Sequence, residues 1–542
     1  MSRQADRKPP DLRTHLANLE RAGLVQRIDA PINKDTELHP LVRWQFRGGL
    51  KEADRRAFFF TNVVDGRGRR YSQPVLVGAL AASADIYRHG LQAETIDEIA
   101  TIWARAVAQP MPPRVLESAL CHEVVIQGAD LTAGRGLDAF PVPISSPGFD
   151  VAPYLTATNV ITRDPETGVQ NMGTYRGALK APDRVGVMMS PVSGGRAHWL
   201  KYRARGEKMP MAIVVGAPPA VAYAGPQKMA LGVDELSIAG GLAGAPIDVV
   251  RCRSHELLVP ADAEIVIEGF VRIDELEPEG PFGESHGHIA LEEYNFILEV
   301  TAITHRRDPI FLSVISQVTP SESSVIKRVA YEPMFLAHLR DTLGIRGILR
   351  VSMHEPLTNL RPVIILQFAP DAPRTEVWRA LHGVSNFQPY CGKIVFAVDD
   401  DIDPENGDAL LWALAYRSNP ALDSVVVSGR ERAHGPRTDR RSDTDSALLI
   451  DATRKGPTPP LALPTRPYME HARDLWERLG LPALHPQTPW HGYSMGLWSD
   501  RWEEAAQCAI AGDWQENGDR SASARRADAS PGSPVPIEGR KP

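Results

Sequence analysis

The chain has 542 residues, 43% hydrophobic and 23% charged, which bounds a soluble globular protein of roughly two to four domains with a large core. A net charge of −7 with no basic stripe argues against nucleic-acid binding, and no apolar run reaches the length of a membrane span. The N-terminus lacks an apolar signal core, so a cytoplasmic location is expected; Cys121, Cys252, Cys391 and Cys508 form no CxxC and read as buried small hydrophobes, not as a disulfide frame or a zinc site.

Residues 1–10 are polar and read as frayed. A helix is expected from Asp11, with Leu12, Leu16 and Leu19 on one face and Gly23 as its stop. Strands follow at 57–60 and 74–77 around the turn signal Asp65-Gly66-Arg67-Gly68, and 85–120 reads as helical. From His122 to about Ser316 the texture is strands with Gly/Pro turns. Runs 158–162 and 169–174 flank a hairpin signal, and further runs fall at 212–215, 247–250, 263–267 and 310–315, which predicts a barrel or sandwich. A long helix is expected from Ser321 or Ser323 towards Leu339, capped by serine and kinked by Pro333. Strands at 348–351, 363–366, 393–398 and 425–427 then alternate with helices from Thr375 and Asp408, a second α/β region. The Asp399–Asp403 run reads as a strand end and helix cap. The stretch from about Gln515 reads as disordered.

The densest chemistry lies in Glu279-Gly280-Pro281-Phe282-Gly283-Glu284-Ser285-His286-Gly287-His288. Gly and Pro fix unusual backbone angles, so this turn has a specified shape. It brings two carboxylates towards one pocket, an arrangement that can separate their pKa values and leave one as a general acid. Solvated loop carboxylates are the ordinary alternative. His286 and His288, spaced i, i+2, make a poor joint metal site. Arg176 can grip a carboxylate with its fork, while Asn171, His198 and Glu235 offer ligands for manganese or magnesium. Ala239-Gly240-Gly241-Leu242-Ala243-Gly244 is not a dinucleotide fingerprint, and the sequence has no GxSxG, Walker or HExxH motif.

Asn171-x4-Arg176, His198, Glu235 and Glu279-x4-Glu284, with Pro218-Pro219-Ala220 and Lys393-Ile394-Val395, resemble the UbiD family of prenylated-FMN-dependent decarboxylases over roughly residues 11–430. The resemblance implies an α/β (α+β) fold: a split-β-barrel flavin-binding domain joined by a long helix to an α/β oligomerisation domain. The expected parts are 1–118, the N-terminal α/β portion; 119–320, the split barrel; 321–342, the linker helix; 343–460, the oligomerisation domain; 461–514, a helical extension; and 515–542, a tail. It implies Glu284 as proton donor with Arg176 and Glu279 beside it. Asn171, His198 and Glu235 would hold Mn2+ (or Mg2+), with K+ near Met172, Ala224 and Gly225. Gly173, Thr174, Tyr175, Arg176, Ala197 and Lys393 would also contact the cofactor. Implied partners are a small carboxylic acid substrate, a flavin prenyltransferase as cofactor supplier, and further copies of the chain in a homodimer or homohexamer. A non-catalytic flavin-binding assembly subunit, and a metal-dependent hydrolase built on Glu284, His286 and His288, are the competing readings.

Overall fold

The computed structural model describes residues 9–227, 229, 232–388, 390–430 and 444–520. These fall into two compact units. The first comprises 1–366, 372–396 and 424–450, and the second 367–371, 397–423 and 451–542.

The first unit opens with the helix Leu12–Arg21, capped by Asp11, whose carboxylate accepts from the Thr14 amide at 2.8 Å; Leu12, Leu16 and Leu19 are buried, as their spacing predicts. A four-stranded sheet follows in the order Val25–Ile28, Ala57–Phe60, Val75–Val77, Phe311–Ser313. The 85–120 stretch is not one helical region. Two helices, Ala84–Leu91 and Glu98–Ala108, give way to the strand Arg114–Leu116, which pairs with Asp248–Arg251. Pro110, Pro112 and Pro113 explain the break, because proline cannot continue a helix.

The core of the unit is an antiparallel sheet of ten strands. Its main path runs Gln170–Gly173, Thr158–Arg163, Met209–Val215, Ile265–Val271, Glu293–His305, Arg184–Val187, Gly177–Ala181 and Tyr154–Leu155. Val124–Gln127 and Glu277–Glu279 also pair with the long strand Glu293–His305. This is the split-barrel element of a mixed α/β fold. Buried Val, Ile and Leu dominate its inner positions, so hydrophobic burial holds the frame on which polar site residues are mounted.

The helix Glu322–Ala337 begins at a reciprocal cap between Ser321 and Ser324 and carries Pro333 inside it. Past its end the chain widens by one residue, with Leu343 N–H bonding the His338 carbonyl at 3.1 Å. A five-stranded sheet then runs in the order Ile348–Met353, Val363–Phe368, Ile394–Asp399, Asp445–Asp451, Ser424–Arg430.

In the second unit, Asp399 and Asp401 do not cap a helix. Both grip the buried Arg417 (2.9 Å from Asp399, 2.7 and 2.5 Å from Asp401), and the cap of Gly407–Arg417 is Asn406. Buried carboxylates this close together need a counter-charge more than a helix end does. The helices Arg466–Arg478 and Asp500–Ile510 follow. Residues 514–520 are helical too, against the expectation from composition; 521–542 lie outside the described residues. Cys121, Cys252 and Cys391 are buried as expected, whereas Cys508 is only half-buried, on a helix with no buried residue.

Candidate active site

The turn between the two glutamates is tightly specified. Glu279 pairs across the sheet with Glu293, and Phe282–Gly283 pairs with Ile289–Ala290. Gly280 has φ +98°, open to glycine and costly for other residues. Asp150 fastens the turn from outside, accepting from the Gly283 amide at 2.8 Å while its other oxygen takes the amides of Ser145 (3.1 Å) and Ser146 (2.7 Å). A Cβ on Gly283 would fall 2.3 Å from the Ser146 hydroxyl, so the approach also requires glycine there.

Arg176, just before the strand Gly177–Ala181, reaches both carboxylates. Its Nε and Nη2 donate to Glu279 Oε1 and Oε2 at 3.1 and 2.7 Å, and its Nη1 donates to Glu284 Oε1. The guanidinium lies 5.1 Å from the centre of the Phe282 ring, which itself packs 4.1 Å from Tyr154. Burial opposes the charge on Arg176, yet Glu284 and Glu279 together raise its pKa above the ordinary value.

The two carboxylates differ in surroundings. Glu279 has no exposed side-chain surface and receives a third bond, from Asn295 Nδ2 at 3.0 Å. Glu284 shares the same guanidinium but keeps 14% of its side chain exposed, and it accepts from the Ser285 amide at 2.9 Å. Glu279 is wholly enclosed among donors, and Glu284 keeps a small exposed edge. The glutamates are therefore well suited to separate roles, one of holding and one of proton exchange.

Sequence inspection missed Lys327. It lies on the helix Glu322–Ala337, one turn before Tyr331, over whose ring Arg361 sits at 5.9 Å. Burial pushes the Lys327 ammonium down to about 7; Arg361 pushes the same way and Glu284 opposes. Neither Lys327 nor Arg361 has a carboxylate in ion-pair contact among the described residues. The neighbouring Arg328 is tied to Glu52 at 2.6 Å, so the two basic residues have different jobs. The available signal was a lysine inside the apolar run Val325–Ala330.

A second group gathers where Gln170–Gly173 meets the helices Gly194–Arg205 and Glu235–Ala243. Glu235 Oε2 accepts from the Met172 amide at 2.7 Å, and Asn171 lies against Gly194 so tightly that a Cβ there would be 1.9 Å from its Oδ1. His198 is held through Nδ1 by Thr162 Oγ1 at 2.9 Å, leaving Nε2 for another partner. Tyr175 Oη meets the Gly195 amide at 3.4 Å, and its ring would block a Cβ on Gly173 at 2.5 Å. Ala197 is half-buried in the same helical turn, its amide on the Ser193 carbonyl at 3.1 Å.

This set fits a divalent ion. Asn171 brings an amide oxygen, His198 a ring nitrogen left over from its bond to Thr162, and Glu235 a carboxylate whose pKa burial raises to about 7 and which a neighbouring cation would stabilise. Ala224 ends the helix Pro219–Ala224, its carbonyl accepting from the Gln227 amide at 3.2 Å. A Cβ on the adjacent Gly225 would lie 2.6 Å from Asn159 Nδ2 and 3.2 Å from Thr174 Oγ1. The Gln227 side-chain amide, which sequence reading missed, is buried with neither end hydrogen-bonded.

Lys393, and the histidines of the competing hydrolase reading, stand apart. Lys393 bonds both oxygens of Asp445 at 3.1 and 2.9 Å, and none of its described contacts is with the Asn171 group. An exposed ammonium takes the nearest carboxylate when no other anion is at hand. The rings of His286 and His288 sit 5.8 Å apart behind the turn. Among the described residues they form no three-membered ligand group with Glu284; the group found is Cys252, His255 and Glu268, elsewhere in the sheet.

Residues 114–318 match the family model for the 3-octaprenyl-4-hydroxybenzoate carboxy-lyase Rift-related domain, and 325–452 match the C-terminal domain of the same family. Among curated relatives, an uncharacterised protein of Archaeoglobus fulgidus is 28% identical over 82% of this chain and 92% of its own. The UbiD-class enzyme HmfF from Pelotomaculum thermopropionicum, solved with FMN, superposes with a TM-score of 0.72 at 28% identity, covering 82% of this chain and 94% of that one. The open form of Sedimentibacter hydroxybenzoicus vanillic acid decarboxylase shares the fold, with a TM-score of 0.72, 24% identity, and coverage of 88% and 100%. The two family matches together span more than half of the chain, from the Arg176–Glu279–Glu284 sheet to the α/β sheet beyond the linker helix, and the chain belongs to the UbiD family of carboxy-lyases.

Proposed function

We propose that the protein is a non-oxidative, reversible decarboxylase of an aromatic, heteroaromatic or α,β-unsaturated carboxylic acid, dependent on prenylated FMN, with Glu284 as the proton donor. The observation that carries this is the asymmetry around Arg176: Glu279 is saturated with donors and wholly buried, whereas Glu284 shares the same cation at an accessible edge. Loss of CO2 from an sp2 carbon leaves an electron pair that no side chain can hold, so a cofactor must serve as the sink. HmfF binds FMN in one structure and prFMN in another, which supports a flavin here. When bound, the modified flavin supplies the electrophilic centre that accepts those electrons.

The remaining work falls to this chain. Asn171, His198 and Glu235 would hold Mn2+ (or Mg2+), with K+ beside Met172, Ala224 and Gly225, and Lys393 would leave Asp445 for the cofactor phosphate. Arg176 orients the substrate carboxylate, and Glu284 delivers a proton to the carbon that has lost it. After release Glu284 must recover its proton from solvent, which its exposed edge permits. Lys327 and Arg361 add positive charge near Glu284, favouring an acid that carries a second polar or anionic substituent. A flavin prenyltransferase would supply the cofactor, and a homodimer or homohexamer is the proposed assembly.

Protein co-produced with a flavin prenyltransferase should carry the chromophore and exchange deuterium into the acid at the carbon that bears the carboxyl group. A set of mono- and diacids run in this assay would reveal the substrate class. Full turnover by Glu284→Gln with cofactor bound would refute the proton-donor assignment.

A further inference from the structure

Away from Arg176 and from the Asn171 group, Cys252, His255 and Glu268 each offer one ligand atom, and these atoms all lie within 4.8 Å of one another. Cys252 and His255 belong to the loop joining the strands Asp248–Arg251 and Leu258–Pro260, and Glu268 lies in the strand Ile265–Val271.

Glu268 and His255 are each hydrogen-bonded through one side-chain atom and leave the other without a hydrogen bond. Glu268 has no exposed surface. Its Oε2 accepts from the amides of Arg253 and Ser254, both at 2.8 Å, and from the Ser254 hydroxyl at 3.0 Å, while Oε1 has no partner. A wholly buried carboxylate oxygen without a donor is costly unless a cation or donor meets it. His255 faces the Met211 carbonyl through Nε2 at 3.1 Å. A carbonyl can only accept, so Nε2 carries the hydrogen and Nδ1 presents its lone pair. That Nδ1 is buried and unpartnered. A ring nitrogen bonded to a backbone carbonyl with the other left bare is the usual preparation of a ligating histidine. The ring is also fixed edge-on to Phe270, 5.6 Å away at 87°.

We propose that Cys252, His255 and Glu268 bind a divalent transition-metal ion of the zinc class, in a structural site separate from the one formed by Asn171, His198 and Glu235. A mixed sulfur, nitrogen and oxygen donor set suits Zn2+ rather than Mg2+ or Ca2+. A thiolate and a carboxylate together cancel the charge of the ion. Ligand bonds of about 2.0–2.3 Å place tetrahedral donors roughly 3.3–3.8 Å apart, so the three side chains close on the ion by small rotations. On binding, the Cys252 thiol proton leaves to solvent and no redox change occurs. The site would pin the 252–258 loop to the central sheet.

The probe is Co2+, followed by Zn2+ competition, on the full-length protein stripped with chelator. One equivalent should give a thiolate-to-cobalt charge-transfer band that Zn2+ abolishes, and protein purified in zinc-replete medium should hold about one zinc per chain. Cys252→Ser and His255→Gln should lose the band, and Asn171→Ala should keep it. Absence of the band in folded wild-type protein overturns the proposal, as does a band that survives in Cys252→Ser. Because the wild-type measurement decides by itself, a misfolded variant does not rescue it.

Discussion

Arg176 and Glu279 form a bidentate pair, Nε to Oε1 at 3.1 Å and Nη2 to Oε2 at 2.7 Å, with 6% and 0% of their side chains exposed. Their separation of 103 positions along the chain is bridged by the central sheet, and the pair fixes the guanidinium edge that meets Glu284. Arg176 is thereby a strut that ties the two glutamates to the sheet.

Glu279→Ala leaves the Arg176 charge buried with half its partners, and should cost about 3–5 kcal/mol of stability. Glu284→Gln removes a charge at an accessible edge and should stay within about 1 kcal/mol while losing turnover. Chemical denaturation of both variants, beside turnover of the cofactor-loaded protein, separates the two roles. Equal destabilisation by both would contradict the asymmetry.

Gly194→Ala places a methyl group where the Asn171 side chain now lies, 1.9 Å from Oδ1. Alanine suits a helix start, so the fold should survive. The displaced amide should weaken Mn2+ binding roughly 10–100-fold by calorimetric titration. Unchanged affinity would separate Asn171 from the metal.

Lys327 titrates near 7 in the folded protein against an ordinary value of 10.5. The unfolded chain therefore binds the extra proton between those values, and stability from this group rises with pH across that window. Below about 7 its cost is fully present. Lys327→Met should stabilise the protein on the order of 2 kcal/mol at pH 6, an advantage that fades by pH 10.5. Urea midpoints of both proteins across this range test the sign, and a difference that does not vary with pH would refute it.

Arg417→Ala strips the buried cation from Asp399 and Asp401 in the second unit. The expected loss is about 3–5 kcal/mol, read by thermal unfolding. It should shrink at acidic pH as the two carboxylates protonate, whereas a loss independent of pH would point to packing instead.

Local patterns were readable without coordinates. The helix start at Asp11, the serine cap of the linker helix, the Thr158–Arg163 and Gln170–Gly173 hairpin and the Glu279–Glu284 turn each depend on neighbours in the chain. The 85–120 stretch misled because helical composition runs up to a proline cluster. The Asp399–Asp403 run marks the strand end as read, but not a helix cap, because its partner Arg417 lies 16 residues beyond Asp401. Lys393 matched by motif, yet its neighbour here is Asp445, 52 residues away.

What the sequence by itself determined is which groups are available: two glutamates on a rigid turn, an arginine fork, and an Asn/His/Glu set. Their order also pointed to the family. Which glutamate is locked and which is accessible was decided only by tertiary structure, because Asn295, Asp150 and Phe282 impose burial and donors from separate strands and loops. The same holds for Lys327 near Glu284 and for Cys252 and His255 of one loop converging with Glu268 of a strand. Burial and charge neighbourhood are properties of the packed sheet, and no local spacing encodes them.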